Sequence, residues 1–176
     1  MKHLVYTLTL AILLSGCYRS SFNEEITSVD SLITEYNLLK IVVDSMNFDE
    51  AKLQYNEYES LMRKSRMALE NLNPKDIKDA TFINKLKLLK RSLNPYIKTH
   101  RNLTKNIPRN IQELKHLKND ISNNAYDKSE VNNFIAKEKL LLNDSKEAYK
   151  IASDGFSRSD TLLQTINQEL ENISSY

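Results

Sequence analysis

The chain has 176 residues, with 25 Lys and Arg against 23 Asp and Glu, for a formal net charge of +2. It holds only two glycines, three prolines and one cysteine, and no tryptophan. Two glycines exclude the glycine-rich phosphate loops of nucleotide enzymes, and one cysteine excludes an internal disulfide framework or a cysteine-built metal site.

The chain opens on a short positive start, Lys2 and His3, followed by an apolar run from Leu4 to Leu14 broken only by Thr7 and Thr9. Eleven residues at ~1.5 Å each make a helix of ~16 Å, about half the ~30 Å apolar core of a bilayer. Such a segment reads as an export signal rather than a membrane span. Leu14-Ser15-Gly16-Cys17 follows it and resembles the lipobox of bacterial lipoproteins: an aliphatic residue, two small residues, then cysteine. The resemblance covers residues 1–17. It implies cleavage between Gly16 and Cys17, a diacylglyceryl group on the Cys17 thiol, and commonly a further acyl chain on the freed amine. Two or more chains hold a protein stably in a membrane where one does not. The expected organisation is a signal peptide over 1–16, a lipidated cysteine and short tether over 17–21, and one helical domain over 22–176. In Gram-negative lipoproteins an aspartate after the acylated cysteine favours inner-membrane retention. Tyr18 stands there instead, so the resemblance implies a cell-envelope lipoprotein sorted to the outer membrane where the host has one.

Gly155 is the only glycine after residue 16. Tight sheet turns need glycine, so its scarcity points to an all-α fold, as does the wealth of Leu, Lys, Glu and Ala. Phe22, Ile26, Val29, Ile33, Tyr36, Leu39, Val43 and Met46 recur at three and four, a helical stripe. The phase breaks near Asn47, where Asn47 and Glu50 read as a capping box. A hairpin or a kink would both suit, a break being slightly preferred. Phe48, Ala51, Tyr55, Tyr58, Met62, Ser65, Leu69 and Leu72 then form a heptad seam, closed by Asn73-Pro74. From Phe82 to Ile121 one apolar phase persists across Pro95 and Pro108, predicting bends or short breaks at the prolines but roughly collinear pieces. After a turn at 123–126, Asp127 and Glu130 form another capping box. Val131, Phe134, Leu141, Ala148, Ala152, Phe156, Leu162, Ile166, Leu170 and Ile173 mark the last stripe, with Gly155 a point of fraying or bending. Similar lengths for 21–72, 74–123 and 127–173 and short turns between them predict an elongated antiparallel, coiled-coil-like bundle of three long segments, with breaks to be sought near 47, 95 and 108.

Charge is spread in blocks. Residues 18–73 carry 6 basic and 10 acidic side chains, 74–118 carry 12 and 3, and 119–176 carry 6 and 10. A basic middle segment packed between acidic flanks would account for this pattern without an outside partner.

Catalytic patterns are missing: there is no His-Glu-x-x-His, calcium loop or nucleophile elbow. His116 and Asp120, four apart, are too few for a metal site, and His100 falls on the apolar stripe as a core histidine. Glu24/Glu25 and Asp49/Glu50 read as first-turn charges, and Tyr55, Tyr58 and Met62 as core rather than as a ligand groove. Lys87, Lys90, Arg91, Lys98, Arg101 and Lys105 recur at helical spacing opposite Leu86, Leu89, Leu93 and Ile97. This basic face could take lipid headgroups or lipopolysaccharide phosphates, or be a solvated face answering the acidic flanks. The expectation is a non-enzymatic scaffold or protein-interaction module, with no catalytic residue, metal or cofactor. It would be held to a membrane by lipid on Cys17 and meet an envelope protein partner, not nucleic acid. The alternative is a binding protein for an anionic ligand through residues 85–105.

Overall fold

A computed structural model of the chain describes residues 22–69 and 79–174. The signal and lipobox positions, Gly16 and Cys17 among them, lie outside these residues, as does the Asn73-Pro74 junction. The described residues form five helices and no strand: α1 (Asn23–Asp44), α2 (Phe48–Leu69), α3 (Asp79–Ser122), α4 (Lys128–Phe156) and α5 (Ser159–Ser174). The all-α bundle read from the sequence is the observed fold.

At 44 residues, or ~66 Å, α3 is the spine. Cross-helix partners set the directions of the others. Asp30 meets Lys118, Tyr36 meets Asn110, Phe48 meets His100, and Tyr58 lies by Lys90. Partner numbers fall steadily as the first segment advances, so α1 and α2 run end to end, both antiparallel to α3. The break at 45–47 is therefore a kink, not a hairpin. Gly155 against Ser92 and Glu169 against Lys85 place α4 and α5 along α3 in the same antiparallel sense. Three long segments result, the first and third parallel to each other.

The seams explain the geometry. On α3, Phe82, Leu86, Leu89, Leu93, Tyr96, His100, Leu103, Ile107, Asn110, Leu114, Leu117 and Ile121 alternate fours and threes without a slip, the 3.5-residue period of a left-handed coiled coil. The prolines do not break it, and α3 is continuous through Pro95 and Pro108. Both prolines are exposed, so the carbonyls they free, at Arg91 and Thr104, lie on the outer side of the helix where water can satisfy them. On the first segment Phe22, Glu25, Val29, Leu32, Tyr36, Leu39, Val43 and Met46 keep the same alternation. It then slips by one residue to Ala51, Gln54, Tyr58, Leu61 and Ser65. The turn at 45–47 absorbs that extra residue. The Asn47 carbonyl accepts from Ala51 N–H at 3.1 Å as a cap residue does, but among the described residues no side-chain bond of the expected capping box joins Asn47 and Glu50, and Glu50 accepts instead from Gln54 at 3.5 Å. The box at Asp127 and Glu130 does form, with bonds of 2.9 and 3.1 Å.

The last segment corrects the sequence reading by one residue. Its seam is Val131, Ile135, Glu138, Leu142, Ser145, Tyr149, Ala152, Phe156, Ser159, Leu163, Ile166 and Leu170. Phe134 and Leu141, expected inside, are 37% and 47% exposed, while Ile135 and Leu142 are 5% and 2%. A second interruption, the turn at Ser157-Arg158, separates α4 from α5 without disturbing this register.

Two cores result. One joins α1, Ala51 at the start of α2, α4 and α3 from Tyr96 onward; the other joins the rest of α2, α5 and α3 up to Leu93. Phe156 packs against both. Both interruptions fall at this level beside Tyr96, which follows Pro95. The Tyr96 ring stacks on Phe156 with centroids 4.2 Å apart, and its hydroxyl bonds to the backbone of Asn47. Gly155 belongs here too, helical and without a positive φ. A Cβ there would meet Ser92 O at 3.5 Å, ordinary contact. Gly155→Ala is therefore expected to stabilise the bundle by about 0.5–1 kcal/mol through the helix propensity of alanine, measurable as a raised urea midpoint. A lowered midpoint would mean that the close approach to α3 needs glycine.

Candidate functional site

Seven residues per two turns place the b and f positions of α3 on the side away from its buried seam, and the sequence puts five cations there, with Lys90 at an e position beside the seam. Lys87, Lys90, Arg91, Lys98, Arg101 and Lys105 are all exposed. Between Ala80 and Gln112 the chain has no Asp or Glu and eight Lys or Arg. Lys85 pairs with Glu169 of α5, and Arg109 with Glu113 of its own helix at 2.8 Å. The remaining six are the predicted face, and among the described residues none of them is in an ion pair. Packing against acidic flanks thus explains Lys85 and Lys118, which reaches Asp30 at 2.6 Å, but not the face.

Aromatic rings edge this surface on the α2 side. Phe48 stacks on His100 with centroids 4.3 Å apart; Lys52 sits 4.4 Å and Arg101 5.7 Å from the Phe48 centroid. Lys90 lies 6.0 Å from the Tyr58 centroid. His100 is a half-buried seam residue, as its place on the stripe implied. Burial holds its pKa below the usual histidine value, against the opposing influence of Asp44 and Asp49. Tyr55, Tyr58 and Met62 belong to the second core and line no groove.

The polar seam residues were missed. Glu25 is 4% exposed, and its carboxylate takes a 3.0 Å contact from Lys128, whose hydrogen bond lowers its pKa. Gln54 bonds to Asp160 and accepts from Ser159 at 2.6 Å, tying α2 to the start of α5. Tyr36 accepts from Asn110 at 3.1 Å, and burial pushes its hydroxyl pKa up to about 12. Near this pair, Glu138 has a buried Oε2 with no hydrogen-bond partner. Burial first, then Glu113, raises its pKa above the usual carboxylate value. Strict alternation of threes and fours, followed through polar residues, is the sequence signal that finds all of these.

Glu138 also borders an open groove of about 280 Å³ between α3 and α4, lined with Glu113, His116, Asp120, Tyr126 and Phe134. His116 and Asp120 thus face one groove. Among the described residues no group of three or more His, Cys, Asp or Glu side chains is placed to hold a metal ion, and no helix is long and apolar enough to cross a membrane. No protein-family model matches the chain, and comparison with curated proteins and with solved structures finds no significant match to either.

Proposed function

We propose that the chain is a membrane-anchored, non-enzymatic envelope lipoprotein whose helical bundle serves as a scaffold for a protein partner. The observation that carries this reading is the lipobox at Leu14–Cys17 with a bundle whose buried core starts only five residues later, at Phe22. A four-residue tether, 18–21, spans at most ~14 Å, so the bundle works at the membrane surface. Tyr18 supports placement in an outer membrane.

Cys17→Ser is expected to leave helix content unchanged, abolish incorporation of labelled palmitate and move the protein from the membrane to the soluble fraction. Label retained on the serine variant would sink the reading. Crosslinking in intact cells, followed by purification in detergent, should bring down the same envelope protein repeatedly. The alternative, an anionic ligand on the basic face, is favoured by six cations that have no ion pair among the described residues.

A further inference from the structure

We infer that the basic face of α3 is a second membrane contact, which binds the anionic headgroups of a phospholipid bilayer and lays the bundle along it. The headgroup contact stands on the structure alone; the flat orientation also rests on the anchor at Cys17.

Lys87 to Lys105 spans 18 residues, a straight row of ~27 Å on the outside of a helix. Among the described residues, the open grooves between α3 and α4 around Glu138 and between α1 and α4 around Glu35 lie away from it. A row of cations on the outer side of a helix matches a flat anionic layer, each cation adding to the attraction. Leu88, 48% exposed, sits within the row and gives it an apolar point that a headgroup layer can accept. Asp44 and Asp49 lie towards the α1–α2 edge, and Asp44 is already neutralised by Lys40 at 2.5 Å.

The position of the row relative to the anchor sets the orientation. Phe48 stacks on His100, so Lys105 lies level with the end of α1, ~30 Å along the rod from Phe22. An upright rod would hold the whole row beyond the ~8 Å reach of electrostatics at physiological salt. A rod lying on the bilayer satisfies both the lipid and the cations.

The test uses the Cys17→Ser chain, which has no lipid, mixed with vesicles of phosphatidylcholine containing 30% phosphatidylglycerol or of phosphatidylcholine alone. The expected result is co-sedimentation with the anionic vesicles only, weakening at least tenfold from 50 to 300 mM salt. Each cation near an anionic surface contributes on the order of five-fold in partitioning. The combination Lys87→Gln, Arg91→Gln, Lys98→Gln and Arg101→Gln should therefore reduce binding more than a hundredfold with unchanged helix content. The combination Lys64→Gln, Lys137→Gln, Lys139→Gln and Lys150→Gln, equal in charge and off α3, should reduce it far less. Equal losses in the two variants, equal binding to neutral vesicles, or binding to polyglutamate but not to vesicles would each overturn the proposal. Failure here leaves palmitate labelling of Cys17 untouched, so the anchor and the face are judged separately.

Discussion

Leu142→Ala is expected to destabilise the bundle by about 2–5 kcal/mol, and Leu141→Ala by less than about 1 kcal/mol. The two leucines are neighbours with the same side chain, at 2% and 47% exposure. Leu142 lies on the seam of α4 within the core formed with α1 and α3, and its truncation leaves a cavity that close-packed neighbours fill only in part. Leu141 points beside the seam and already meets water. Urea unfolding followed by helix content measures both, and an unchanged denaturant slope would show that stability rather than the unfolded state has changed. Equal costs, or a larger cost at Leu141, would return Phe134 and Leu141 to the interior and refute the register.

Glu138→Leu is expected to stabilise the protein by about 1–2 kcal/mol at neutral pH, because it replaces a poorly paired carboxylate with apolar surface at a seam position. Its pH dependence is the sharper test. The pKa of Glu138 is raised in the fold above its ordinary 4.5. Over that window the native state holds the proton more tightly than the unfolded chain. The stability linked to this group is full below 4.5 and falls as pH rises through the raised value. Glu25 acts in the opposite sense: its pKa is lowered by Lys128, so its contribution is present above 4.5 and lost as pH falls through the lowered value. In the Glu138→Leu protein the decline above 4.5 should disappear while the acid loss through Glu25 remains, and the gain over the parent should be larger at pH 7 than at pH 4. A gain equal at both, or a loss at pH 7, would show that Glu138 is not an unfavourable charge.

The fold class was legible because glycine scarcity and long three-and-four spacing leave few alternatives. The α4 register was not, because apolar spacing alone follows Phe134, Leu141 and Ala148, a column seven apart, and passes over Glu138 and Ser145 on the true seam. A coiled coil accepts such polar residues at some cost in stability, and a reading that counts apolar residues cannot see them. The slip at 46–51 announced a break, but three residues fit a hairpin or a kink, and only the long template of α3 decides between them. The basic face was legible by position, since exposure follows from being opposite the seam. That its six members have no ion pair among the described residues was not, because pairing depends on which carboxylates α2 and α5 bring near.

The meeting of Pro95, the 45–47 turn and the 157–158 turn around Tyr96 has a mechanical consequence. Three uninterrupted helices wound together resist bending as one beam. Here each strand is weakened at nearly the same height, and the cores on either side are joined through few side chains, Phe156 and Tyr96 among them. Compliance is therefore concentrated in one transverse section, with a stiff lever on each side. On the proposed anchoring through Cys17, the lever bearing α1 and α4 would follow the lipid, and the one bearing α2 and α5 would be the one to tilt.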